Sequence, residues 1–395
     1  MVTSMFPAKP GGFCIRRMAA RIGLSSWLLS VPLALAAGQD RSTWPTYHGG
    51  YDLAGVAATT VPDKPAILWR FRADAGISQT PVIGGGRAFV TTGKGTIYAV
   101  NMAGTQVWSR TLGDVSNTVT FAAPPVYASG LVILGSSAGR LYALDAVDGG
   151  TRWDYDVGGG IQGSPNVILP AGSNECRVIV MCQGDGTLHC VGLATGKSVW
   201  KSEKTSRCDG SPTVSGDRIV YGNCDAALHV FSAADGSQVG SLPLCPECQV
   251  AGGVAAAGSA VFSGSRSGRV FGADARKLSV AWTNASVSNE VFSTPAIGAA
   301  AIVVASSAGR IAALDRQTGE LKWAFEAGGG AKSAVIAGDK VVVTAGGKLH
   351  VLALDTGAAL SSTPVSDDIT SPAVIPGMIL VGGDDGVLTA FGPPK

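Results

Sequence analysis

The residues able to do chemistry in this chain are concentrated in one stretch. Seven of the eight cysteines, Cys176, Cys182, Cys190, Cys208, Cys224, Cys245 and Cys248, fall within 73 residues, and Cys14 stands apart near the N-terminus. Such thiols can pair as disulfides, the default outside the cytoplasm. They can also stay free, or gather as thiolates around a metal ion. Cys245-Pro246-Glu247-Cys248 adds the CxxC spacing of redox-active pairs. A zinc site normally takes two such pairs, and there is one. Gln249 follows Cys248 where c-type haem attachment requires His. The four histidines, His48, His189, His229 and His350, accompany no nucleophile–His–acid set and no GxSxG elbow.

The elements that position these residues come from a repeat. A turn followed by an alternating strand recurs at Gly95, Gly139, Gly186, Ala226, Gly268, Gly309, Gly347 and Gly386, with spacings of 44, 47, 40, 42, 41, 38 and 39 residues. A period near 40 built from short strands is the mark of a β-propeller. One unit is legible from 294 to 328. Thr294–Ile297 opens it, Ala301–Ala305 is a continuous apolar run, and Ile311–Asp315 follows the Gly309 turn. After Gly319, Glu320–Phe325 alternates polar and apolar as an outer strand does. Four antiparallel strands make one blade.

Trp69, Trp108, Trp153, Trp200, Trp282 and Trp323 recur on the fourth strand, with Val239 in the corresponding place in the fourth unit and Leu360 near it in the seventh. A ring of identical positions suits packing between blades. The C-terminal unit stops after three strands, and Ile67–Phe71 is a fourth strand with none before it. The sequence therefore predicts an all-β, eight-bladed propeller whose N-terminal strand completes the last blade, leaving no open edge.

Strand order places the cysteines. The loop entering a blade and the turn between its second and third strands lie on one face. Cys208, Cys224, Cys245 and Cys248 are expected on that face around the fourth and fifth blades, as two disulfides, as free thiols, or as a metal site. His189, His229 and His350 hold equivalent third-strand positions, which points to packing rather than catalysis.

The N-terminus reads as an export signal over 1–36. Arg16, Arg17 and Arg21 precede a largely apolar stretch, and Ala34-Leu35-Ala36 supplies a small-x-small cleavage site. Residues 37–66 form an extension and 67–395 the propeller. A periplasmic or secreted location follows. Translation starting at Met18 would give a signal of more usual length. The full chain carries a net charge of +2, and residues 1–36 hold four cations and no acid, so the processed chain lies near −2. No basic run supports nucleic-acid binding, and no stretch after residue 40 is long and apolar enough to span a bilayer.

Gly139-Arg140-Leu141-Tyr142-Ala143-Leu144-Asp145 with Trp153 and Gly163-Ser164-Pro165, and Ala313-Leu314-Asp315 with Thr318-Gly319 and Trp323, resemble the repeats of the PQQ-like β-propeller family. Trp44-Pro45-Thr46-Tyr47-His48-Gly49 resembles the segment that precedes the propeller there. The resemblance covers about residues 44–392. It implies one of two branches. Quinoprotein dehydrogenases hold pyrroloquinoline quinone and calcium on the axis, with adjacent cysteines beside the quinone. The other branch, which includes the outer-membrane assembly lipoprotein propeller, is non-enzymatic. This chain has no Cys-Cys dipeptide and no long insertions, and loops such as Gly158–Gly163 offer few ionisable groups. The resemblance thus implies a protein-binding scaffold without catalytic residues or cofactor. The alternative is a quinone–calcium or cysteine/metal oxidoreductase.

Overall fold

The computed structural model describes residues 41–114 and 117–394, so the segment expected to be an export signal, and Cys14, lie outside the described residues. Eight four-stranded antiparallel blades form a ring, with no helix among the described residues. Blades 1 to 7 begin at Val82, Val126, Asn166, Thr213, Ala255, Ala296 and Val335. Blade 8 combines Ala373–Ile375, Met378–Gly382 and Val387–Gly392 with Ala66–Arg72, which pairs with Val387–Gly392. The N-terminal strand therefore closes the ring, as the sequence predicts.

Within a blade the second and third strands are buried on both faces. Ala301–Ala305 is buried throughout, whereas the fourth strand Leu321–Glu326 alternates. In every blade the pairing of strands three and four shifts register once, for instance between Ala313 and Leu314 opposite Trp323. Such a bulge re-aims a side chain, and here it turns the Trp onto the next blade. Trp69, Trp108, Trp153, Trp200, Trp282 and Trp323 lie against Gly104, Gly149, Gly196, Gly236, Gly319 and Gly357 of the following blade, where an added Cβ would meet the indole at 2.3–2.9 Å. Five of these indoles also donate to a carbonyl of that blade at 2.8–3.1 Å.

The first of the two exceptions corrects the sequence register. In blade 4 the residue paired as Trp is elsewhere is Gly240, opposite Val230, not Val239. Leu278 of blade 5 stands where the turn glycine would be, and its Cδ1 approaches the Cβ position of Gly240 to 2.5 Å. The large and small partners have exchanged blades. In blade 7 the position is Ser361, opposite Val351, and its hydroxyl donates to the Asp63 carbonyl at 2.7 Å. Blade 8 has no turn between strands three and four, so no turn glycine is present for a Trp to cover.

The extension is not a peripheral tail. Innermost strands of propeller blades leave backbone groups facing the axis, and residues 44–57 satisfy them in turn. Trp44 exchanges hydrogen bonds with Ile83, and the carbonyls of Pro45, Tyr51, Asp52, Ala54 and Gly55 accept from Tyr127, Val214, Ala256, Ile297 and Ile336 at 2.8–3.1 Å. Tyr51 also accepts from the Asn166 amide at 2.7 Å. Val56–Ala57 then pairs in parallel with Ile336 and Ala337. The segment thus touches the inner strands of blades 1 to 7.

Candidate functional site

The two faces of the ring differ. One carries the turns between strands one and two and between three and four. The other, the loop face, carries the inter-blade loops and the turns between strands two and three. On the loop face these loops are laced by backbone bonds: Cys208 N–H to Gln183 O at 3.1 Å, Cys224 N–H to Arg207 O at 3.0 Å and Val250 N–H to Asn223 O at 3.0 Å. Those bonds hold Cys208 and Cys224 in adjoining loops of blades 3 to 5, next to the loop that carries Cys245 and Cys248.

The sulfurs do not converge as a group of four. Cys245 and Cys248 are bonded to each other, with Cα atoms 5.0 Å apart. Cys208 and Cys224 are separate thiols. Of the arrangements left open for these four residues, the structure contains one disulfide and two separate thiols. Cys208 is buried and its Sγ–H donates to Gly222 O at 3.2 Å. Burial pushes the Cys208 and Cys190 thiols up to about 12 and raises those of Cys182 and Cys176. Thiols so placed stay protonated at neutral pH, and the thiolate is the reactive and metal-binding form. Among the described residues, the one His/Cys/Asp/Glu group whose ligand atoms gather is Cys245, Glu247 and Cys248, within 4.8 Å of one another. Arg269 pairs with that Glu247 at 3.3 Å.

The third-strand histidines are packed against aromatic rings. His189 meets Tyr155 and accepts or donates at Nδ1 over 3.1 Å. His229 stacks on Tyr221 with ring centroids 5.7 Å apart, and His350 lies edge-on to Phe325.

What the sequence reading missed lies at the axis. Ser164, Ser211, Thr294, Ser333 and Ser371 hold equivalent positions just before the innermost strands. Backbone N–H groups of one blade donate to the hydroxyl of the next: Ser164 to Ser211 at 2.9 Å, Thr294 to Ser333 at 3.0 Å and Ser333 to Ser371 at 3.1 Å. Blade 5 has Gly253 at this position. The Tyr47 hydroxyl, from the axial segment, occupies the vacated place and bonds Thr294 and Ser211. A Cβ on Gly253 would lie 2.2 Å from that hydroxyl. His48 follows, fully buried, with Nδ1 2.7 Å from Leu53 O and Nε2 2.9 Å from Ala334 O. Burial lowers its pKa, while the two carbonyls pull it up. The trace this hub leaves in the sequence is Gly252-Gly253, where blades 3 and 4 have Gly-Ser.

The loop face around blades 3 to 8 bears exposed ion pairs: Lys204–Asp185 at 3.3 Å, Arg207–Asp209 at 3.2 Å, Arg266–Glu290 at 4.0 Å and Lys332–Asp368 at 3.0 Å. Burial alone would raise Asp185, but bonds from Thr187, Cys182 and Lys204 outweigh it and bring it to about 2. Exposed pairs of this kind add little stability, about 0–1 kcal/mol each. Their effect is to present a charged, hydrogen-bonding surface on a rigid ring.

Repeated four-stranded blades, indole-on-glycine packing and a closed axis define an eight-bladed propeller of the PQQ-like class. A family profile described as "Outer membrane protein assembly factor BamB" matches residues 56–169, 162–242 and 225–391. The chain belongs to this family. The protein of that name from Bordetella pertussis is 25% identical over 342 residues, 83% of this chain and 74% of the relative. Its counterpart from Xanthomonas campestris is 25% identical over 341 residues, covering 80% and 82%. The crystal structure of BamB from Moraxella catarrhalis superposes with a TM-score of 0.69 at 19% identity, over 84% of this chain and 98% of that one. A europium-containing methanol dehydrogenase superposes with a TM-score of 0.76 at 12% identity, over 90% and 99%. Both likenesses are of fold.

Proposed function

We propose that this chain is an extracytoplasmic, non-catalytic propeller that binds protein partners during assembly of outer-membrane proteins. The observation that carries this reading is the family match along residues 56–391, taken with relatives named as outer-membrane assembly factors. The rigid loop face is the surface for partners. The axis supports the same choice. A quinone with calcium needs an open hub with oxygen ligands for the ion. Here Tyr47 and His48 fill the hub. These residues do not fit the quinone–calcium pair.

Export with cleavage near Ala36 belongs to this proposal, and the mass of the mature protein tests it. No helix among the described residues is long and apolar enough to cross a membrane. For the function itself, the gene is deleted in its host and outer-membrane barrel proteins are quantified. Lower barrel levels, restored by the wild-type chain, are expected. Unchanged levels together with quinone-dependent turnover by the purified protein would reverse the choice.

A further inference from the structure

Blade 7 departs from the repeat on the loop face. Its second and third strands, Lys340–Ala345 and Lys348–Ala353, are joined by Gly346-Gly347 alone, whereas blades 1, 2, 4, 6 and 8 use four residues at this turn. Both glycines have positive φ, 51° and 72°, as a two-residue hairpin of the primed type requires. The short turn fails to fill the surface between its neighbours and leaves a cavity of about 380 Å³. Gly330, Gly346 and Gly347 line it without side chains.

The rim has a definite chemistry. Phe292 lines it and is the one aromatic among the exposed large apolar residues described, at 41% exposure. The Arg266 guanidinium already sits 5.2 Å from the centre of that ring. Lys332, the cation lining the cavity, is neutralised by Asp368 at 3.0 Å. Asp384 is occupied by the Ser366 hydroxyl and the Asp368 N–H, and Asp385 by the Val387 N–H. Asp367 lines the cavity, and its carboxylate has no hydrogen bond or ion pair among the described residues.

We propose that this recess receives one arginine side chain from a loop of a protein partner. Its aliphatic stem lies along Phe292 and its guanidinium meets Asp367, joining an aromatic contact to an ion pair. The volume suits one or two side chains rather than a folded element, and arginine is among the residues that anchor interfaces. The inference rests on the protein-binding reading and names one contact point for it.

The test is an NMR titration of the isotope-labelled full propeller with the peptide acetyl-Gly-Gly-Arg-Gly-Gly-amide. The peptide with Glu in place of Arg is the control. Shifts confined to the amides of Gly330, Gly346, Gly347 and Asp367, with the arginine peptide alone, are expected. Asp367→Asn and Phe292→Ala each lie at the surface and should weaken binding by about fivefold, the scale of one exposed ion pair or cation–π contact. Inserting Ser-Ala between Gly346 and Gly347 restores a four-residue turn and should abolish the shifts. Equal shifts from both peptides, shifts elsewhere, or no loss in Asp367→Asn would overturn the proposal. The titration does not depend on barrel assembly. Unchanged barrel levels beside a positive titration would reject the assembly role and leave the recess standing.

Discussion

Tyr47 shows how one hydroxyl can matter to a ring. It stands in for the side chain that Gly253 lacks and is buried beside Thr294 and Ser211. Tyr47→Phe keeps the ring packing and strands those partners, a loss of about 1–2 kcal/mol for buried hydrogen-bonding groups left unmet. Urea denaturation measures it, and an unchanged midpoint would show that the hub tolerates the gap. His189 gives the pH dependence. Burial first, then the Lys201 ammonium, bring its imidazole to about 4, below the ordinary 6.5. Between those values the unfolded chain binds a proton that the folded chain refuses. The contribution to stability is therefore complete above about pH 6.5 and is lost as pH falls toward 4. His189→Gln should flatten the fall in Tm across that window, and parallel curves for the two proteins would exclude His189 as its source.

At the scale of elements, the unit of construction is an indole from one blade lying on a turn glycine of the next. The sequence displayed both halves, the Trp ladder with its packing between blades and the turn glycines, but not that each indole lies on a glycine, since the period does not say which residue of the next blade a side chain meets. It also misplaced the blade 4 position by one residue. The bulge that shifts register there is set by strand pairing, and Gln238-Val239-Gly240 looks alike in either register. The exchange of Gly240 and Leu278 makes a sharp prediction. Gly240→Trp alone drives an indole into Leu278 and should destabilise by about 1–3 kcal/mol, as overpacking does. Leu278→Gly alone opens a void but removes a residue held at φ 52°. The double variant rebuilds the arrangement of the other blades, so the coupling energy should be favourable by at least about 0.5 kcal/mol in a double-mutant cycle. Additive losses would mean that the two positions do not share space.

For the whole molecule, the eight blades and the closing strand were legible because each blade repeats the same turns at nearly constant spacing. The axial course of residues 44–57 was not. It is held by backbone bonds to six blades and by the Asn166 amide of a seventh, and backbone bonding places no demand on residue type. The cysteine sector was placed by strand order but its bonding was not, because sulfur pairing depends on side-chain direction. A chain beginning at residue 76 loses both the hub segment and the outer strand of blade 8. It is expected to aggregate or to melt well below the full chain, because an exposed sheet edge templates association. Light scattering with a thermal melt checks this, and a monomer with an unchanged Tm would contradict the role given to these residues.

Closure by the N-terminal strand also sets an order in time. Residues 44–72 are made first, yet their partners run to Gly392, at the far end of the chain. Until blade 8 exists, the strand that will seal the ring has nothing to pair with, and the hub segment has no hub. Contacts of such long sequence separation are slow to form. The nascent protein must therefore carry an unpartnered strand through nearly its whole synthesis. During that interval residues 44–72 have no blade to join.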